Sequence, residues 1–122
     1  MNLSIEKTEH FTQISTSENA LHEKLAEALV NKAKEALSKE EITYFIFDIS
    51  EVTTLDVNCI SLLQDFGSAM QENLGLVIFK NENPTIHQVM SEQDFVIVPS
   101  QSEAVEYIYM DQLEKQFLTD SE

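Results

Sequence analysis

Three short apolar runs do most to limit what this chain can fold into: Tyr44-Phe45-Ile46-Phe47, Leu76-Val77-Ile78-Phe79 and Phe95-Val96-Ile97-Val98. All three are rich in aromatic and β-branched residues, and none alternates apolar with polar positions. A strand with water on one face alternates. A strand written this way needs cover on both faces, which predicts interior and parallel strands.

Helical patterns lie between and around these runs. From about Glu18 to Ser38, Leu21, Leu25, Leu29, Ala33 and Leu37 recur every fourth residue beside Ala28 and Ala36, with Glu23, Lys24, Glu27, Lys34 and Glu35 on the flanks. Ser15 and Glu18, just upstream, have capping-box spacing. A second pattern, from about Val57 to Asn73, points Ile60, Leu63, Phe66 and Met70 inward. A short third helix is expected after Pro84, which suits a first turn, with Ile86 and Val89 or Met90 as its contacts. The last pattern runs from Ser102 to about Leu118. Ser100 and Glu103 again have capping-box spacing, and Val105, Tyr109, Leu113 and Phe117 form a stripe beside Ala104 and Ile108. Near the start, Leu3, Ile5, Phe11 and Ile14 alternate weakly and read as one or two edge strands. The succession predicts an α/β fold with a mostly parallel central sheet of about four to five strands and about four helices. Residues 1–118 form one domain on this reading, and residues 119–122 a frayed, disordered tail.

With 122 residues the chain suffices for a single core. Its two glycines and two prolines disfavour a loop-rich sandwich. The formal net charge of −15 repels phosphate backbones and anionic lipid, so direct nucleic-acid binding is not expected, and a basic protein surface is the natural complement. The same excess of acid also serves simply to keep a surface solvated. A single cysteine, Cys59, permits no internal disulfide and fits a reducing compartment. Asn2, Glu6 and Lys7 follow Met1 without an apolar signal core, and no apolar run is long enough to cross a bilayer. The expected location is the cytoplasm.

Catalytic patterns are sparse. His10, His22 and His87 are scattered, and none has metal-ligand spacing with Cys59. There is no phosphate-binding glycine loop and no nucleophile elbow. No enzyme, metal or cofactor is therefore expected. Cys59 falls in the first turn of the second helix, where a thiol can be activated. Free cysteines are also commonly buried as small apolar residues. With no histidine nearby in sequence to serve as a base, packing is the expected role.

The informative stretch runs through Phe47-Asp48-Ile49-Ser50-Glu51-Val52-Thr53-Thr54-Leu55-Asp56-Val57-Asn58-Cys59-Ile60-Ser61-Leu62-Leu63. A buried strand ends in Asp48, a short loop follows, and Asp56 opens a helix. This resembles the STAS family, the anti-sigma-factor antagonists and their relatives. In that family the strand ends in Asp-Leu-Ser-x-Val and the helix opens with Asp-Ser-Ser-Gly-Leu. The likeness extends through the strand at 76–80, the short helix at 84–90, the strand at 95–98 and the Ser102-Glu103-Ala104-Val105 helix start, covering roughly residues 42–113. The usual glycine before the first helix is missing.

The resemblance implies a stand-alone, bacterial, signal-transducing regulator of transcription that binds a protein. Its partner would be an anti-sigma factor that is a Ser/Thr-kinase-like ATPase, with a phosphatase reversing the kinase. In the family the second residue after the helix-opening Asp carries the phosphate. Here that position is Asn58, which has no hydroxyl. Val57 replaces the preceding Ser, and Cys59 the following Gly. Asn58 and Asp56 are also both good helix-start residues in their own right. The partner-binding residues implied are Glu51, Thr53, Thr54, Asp56, Val57, Asn58 and Cys59. Thr53 and Thr54 are the fallback phosphate acceptors. Ser61 ranks below them because the helix is expected to shield it partly. Rival readings on the same fold are a cytoplasmic STAS subunit of a lipid-transport ABC system and a nucleotide- or lipid-binding module. An enzyme using Cys59 is a further rival.

Overall fold

The computed structural model describes residues 2–120. Strands β1 (Leu3–Lys7), β2 (Thr12–Thr16), β4 (Tyr44–Asp48), β6 (Leu76–Lys80) and β7 (Val96–Val98) form one sheet in the order β1-β2-β4-β6-β7. β1 runs antiparallel to β2, and every other pairing is parallel. Two-residue strands β3 (Ala20–Leu21) and β5 (Thr54–Leu55) pair separately, also in parallel. The helices are α1 (Glu23–Lys39), α2 (Ile60–Glu72), α3 (Pro84–Glu92) and α4 (Gln101–Asp120). This is the α/β architecture that the sequence predicts.

β4 shows why the apolar runs do not alternate. Phe45 and Phe47 face one core with Leu25, Leu29, Leu63, Phe66 and Met90. Tyr44 and Ile46 face a second core with Phe11, Leu76, Ile78, Ala104 and Ile108. Helices α1, α2 and α3 thus cover one side of the sheet, and α4 covers the other. Gly75 has its own reason: a Cβ there would sit 2.0 Å from the Thr43 carbonyl oxygen, where the chain enters β6.

The structure corrects several expectations. β2 is an interior strand, not an edge strand. Its buried Thr12, Gln13 and Thr16 disguise it as a polar segment. Gln13 is accommodated by a reciprocal amide pair with Gln101, at 2.6 and 3.1 Å. β7 lies at the sheet edge, although both of its faces are covered. Apolarity encodes cover on the faces and is silent about neighbours in the plane.

α1 begins at Glu23, well after Glu18, and Ser15 does not cap it. His22 does so, with Nδ1 accepting the Leu25 N–H at 3.1 Å. Leu21, counted as a helix residue by its spacing, is buried in β3. The α4 stripe is also different: Ala104 and Ile108 are buried, but Tyr109, Leu113 and Phe117 are exposed. Finally, Ser61 is exposed and not shielded. The α4 backbone is helical to Asp120. The rest of the expected tail, Ser121 and Glu122, lies outside the described residues.

Candidate functional site

Parallel strands β4 and β6 end side by side, and the chain leaves β4 through Asp48. Its carboxylate accepts the Ser50 N–H at 3.1 Å, accepts the Ser50 hydroxyl, and meets Lys80 Nζ at 3.5 Å. Ile49 and Val52 then turn inward and are fully buried, which leaves Ser50 and Glu51 on the outside. The Val52 N–H closes the turn on the Ile49 carbonyl at 2.9 Å.

Asn81, just past the end of β6, holds this turn from beneath. It is fully buried, and its Nδ2 donates to the Ile49 and Val52 carbonyls at 2.6 and 3.0 Å. Its Oδ1 accepts the Asn83 N–H at 2.7 Å, and its own N–H donates to the Val98 carbonyl at 3.0 Å. Sequence reasoning missed Asn81. Its only signal is an amide placed directly after an apolar strand, in a stretch that otherwise reads as a loop. Replacing Asn81 with Ala takes the side-chain donor from the Val52 carbonyl, while the Ile49 carbonyl keeps the Val52 N–H, and is expected to cost about 1–3 kcal/mol for the group left unsatisfied. Hydrogen exchange of the amides of residues 50–56 should accelerate in the variant. Unchanged exchange would mean that the turn holds itself.

The next segment is tied to the connection before α1. The Thr53 and Thr54 N–H groups both donate to the Asn19 carbonyl, at 2.9 and 3.3 Å, and β5 pairs with β3. The Asp56 N–H then donates to the Leu21 carbonyl at 2.9 Å. Asp56 caps the turn that follows: its Oδ1 accepts the Asn58 N–H at 2.9 Å. Residues Val57–Cys59 form a short 3-10 turn that leads straight into α2.

Glu51, Thr53, Thr54, Asp56, Val57 and Asn58 all have exposed side chains. Val57 is 70% exposed. Cys59 does not join them. Its side chain is fully buried, with Sγ donating to the Asp56 carbonyl at 2.9 Å. Burial, with the charge of Asp56 adding to it, pushes its pKa up from 9.0 to about 11. At pH 8 the folded thiol is therefore almost wholly protonated, and alkylation should run about a hundredfold slower than in the unfolded chain. The unfolded thiol loses its proton near 9.0 and the folded one near 11. The folded state holds the extra proton between those values, so stability falls as pH rises through that window. Rapid alkylation of the native protein at pH 8 would contradict the buried placement.

Among the described residues no group of His, Cys, Asp and Glu side chains is placed to hold a metal ion. No helix among them is long and apolar enough to cross a membrane.

The sequence matches no protein-family model and no curated protein at a significant level. Solved structures do match. The anti-sigma factor antagonist SpoIIAA in its unphosphorylated form, a Bacillus cell fate determinant, superposes with a TM-score of 0.71 at 17% identity, covering 88% of this chain and 96% of that one. An anti-sigma factor antagonist from Mycobacterium paratuberculosis gives 0.64 at 18% identity, covering 88% and 93%. A chain from Thermotoga maritima, described as a putative anti-sigma factor antagonist, gives 0.70 at 15% identity, covering 88% and 94%. At such identities the likeness speaks to the fold alone. This chain has a STAS-like fold.

Proposed function

We propose that this chain is a non-catalytic regulator that resembles the anti-sigma-factor antagonists and docks on a kinase-like anti-sigma factor through residues 51–58. One observation carries the reading. An exposed patch containing Val57 and Asn58 stands on a helix start that Asp56 and the β3–β5 pair hold in place, after a turn that Asn81 fixes. Pre-ordered exposed groups lose little freedom on binding, which favours recognition by another protein. The fold shared with two anti-sigma factor antagonists supports the same reading, as does a thiol too buried and too weakly acidic to serve as a nucleophile.

Asn58 takes the position that bears the phosphate-accepting hydroxyl in the resemblance. A phosphate there would add about −1.5 to −2 charges. Neutral Asn is close to Ser in size, so the chain should behave as the unphosphorylated form does. Incubation with the partner kinase is expected to leave Asn58 unmodified, and phosphopeptide mapping checks this. Phosphate on Thr53 or Thr54 would indicate a shifted switch, since both are exposed. Affinity capture with the full chain tests the partner class. A kinase-like ATPase held by the parent and released by substitutions within residues 51–58 supports the proposal. Capture of a transporter ATPase in its place overturns it.

A further inference from the structure

Helix α4 has two unlike sides. Its inner side brings few apolar groups to the sheet. Ala104 and Ile108 are fully buried, and polar residues take the next inward turns. Asp111 accepts the Tyr44 hydroxyl at 2.7 Å, and Lys115 pairs with Asp111 at 2.6 Å and donates to the Gly75 carbonyl at 3.0 Å. The larger apolar residues look outward. Met110, Leu113 and Phe117 are 65, 59 and 74% exposed. Their spacings of three and four residues place them in one row along the helix.

Beside this row, a groove of about 550 Å³ runs between α4 and the Val98 end of the sheet edge. Val98, Tyr107 and Met110 give it apolar walls, and every charged side chain lining it is a carboxylate, Glu103, Glu106 and Glu114 among them. The chain's own fold leaves this row uncovered, with three large apolar side chains in line and not scattered singly.

Charge selects the occupant. A second copy would bring carboxylates against carboxylates in a chain that already carries −15, and an anionic lipid surface or nucleic acid meets the same repulsion. A row spaced by three and four residues is the ridge that another helix packs against. We propose that the outer face of α4 is a docking surface for a basic amphipathic helix of a partner protein. Its apolar residues would cover Met110, Leu113 and Phe117, and its Lys or Arg side chains would meet Glu103, Glu106 and Glu114. α4 lies across the sheet from α1, α2 and α3. This surface is therefore separate from residues 51–58 and does not depend on their role.

The test uses the full chain, isotope-labelled, and a synthetic helical peptide with Leu at three- and four-residue spacings and Lys between. Controls are a scrambled peptide of equal composition and a version with Glu for Lys. The expected result is saturable one-to-one binding, with amide shift changes confined to α4 and β7. Binding should be about tenfold or more weaker for the scrambled peptide and lost for the Glu version. Leu113→Ser and Glu106→Lys should each weaken binding about tenfold or more with the melting temperature unmoved, since both side chains are exposed. The proposal is overturned by equal binding of the scrambled peptide or by shift changes spread over the whole acidic surface. Binding unaffected by Leu113→Ser overturns it too. So does a dimer that Leu113→Ser dissolves, or capture by zwitterionic vesicles that the same variant abolishes.

Discussion

Truncating Phe47 to Ala is expected to destabilise the fold by about 3–5 kcal/mol, a large part of the roughly 5–15 kcal/mol that holds a domain together. Phe47 is fully buried at the centre of the sheet. Its ring stacks on Phe66 of α2 at 6.0 Å between centroids and meets Phe79 of β6 edge-on at 5.4 Å. The truncation removes the transfer energy of the ring and opens a void that three rigid neighbours, Phe45, Phe66 and Phe79, cannot readily close. Ile46→Ala strips the opposite face of the same strand, against Ile108 and Ile78, and should cost about 2–5 kcal/mol. Phe117→Ala is the control. That ring is 74% exposed, so its loss should stay within about 0.5 kcal/mol. Urea midpoints at an unchanged slope measure all three. Similar shifts for Phe47 and Phe117 would mean that the two cores are wrongly placed.

What the sequence made legible follows from what apolarity encodes. Tyr44, Phe45, Ile46 and Phe47 announce a strand covered on both faces, and β4 lies between helices on both sides. The capping spacing of Ser100 and Glu103 is realised: Ser100 Oγ accepts the Glu103 N–H at 3.3 Å and donates to the Glu103 carboxylate at 2.8 Å. β2 was hidden because Thr12, Gln13 and Thr16 are polar by name but buried in fact, with Gln13 bonded to a residue 88 positions away. No local pattern reveals such a pair. β3 and β5 are two residues each, too short to show a period.

The α4 stripe failed for a geometric reason. Residues four apart on a helix drift by about 40° at each step. The series Val105, Tyr109, Leu113, Phe117 therefore starts beside the buried face and winds to the outside. The inward line passes through Ala104, Ile108, Asp111 and Lys115. Its last two members are charged, and they are tolerated there because they bond one another, Tyr44 and the Gly75 carbonyl. Within the candidate site, Val57 and Asn58 were marked only by the resemblance, whereas the helix opening at Asp56 followed from reading a helix start after an apolar strand. The buried Asn81 did not, because its partners are backbone carbonyls about thirty residues earlier in the chain.

Asn58 is where the proposed docking surface is most directly tested. Its side chain is exposed, its N–H is already capped by Asp56, and Glu51 and Asp56 stand in the same exposed stretch. Asn58→Asp adds one fixed charge with almost no change in size. In a partner interface that already accommodates two carboxylates, the third is desolvated without a counter-charge and repelled by its neighbours. The expected loss is about 2–5 kcal/mol of binding energy. Asn58→Ser restores a hydroxyl and should bind about as tightly as the parent. Neither change should lower stability, because Asn, Asp and Ser are comparable helix-start residues and an acid near a helix N-terminus is favourable. The decisive measurement is calorimetric affinity of parent, Asp and Ser forms for the captured kinase-like partner, with a melting curve for each. Weak binding by the Asp form alone, with all three melting alike, is the predicted result. Equal affinity of all three would contradict docking through this helix start.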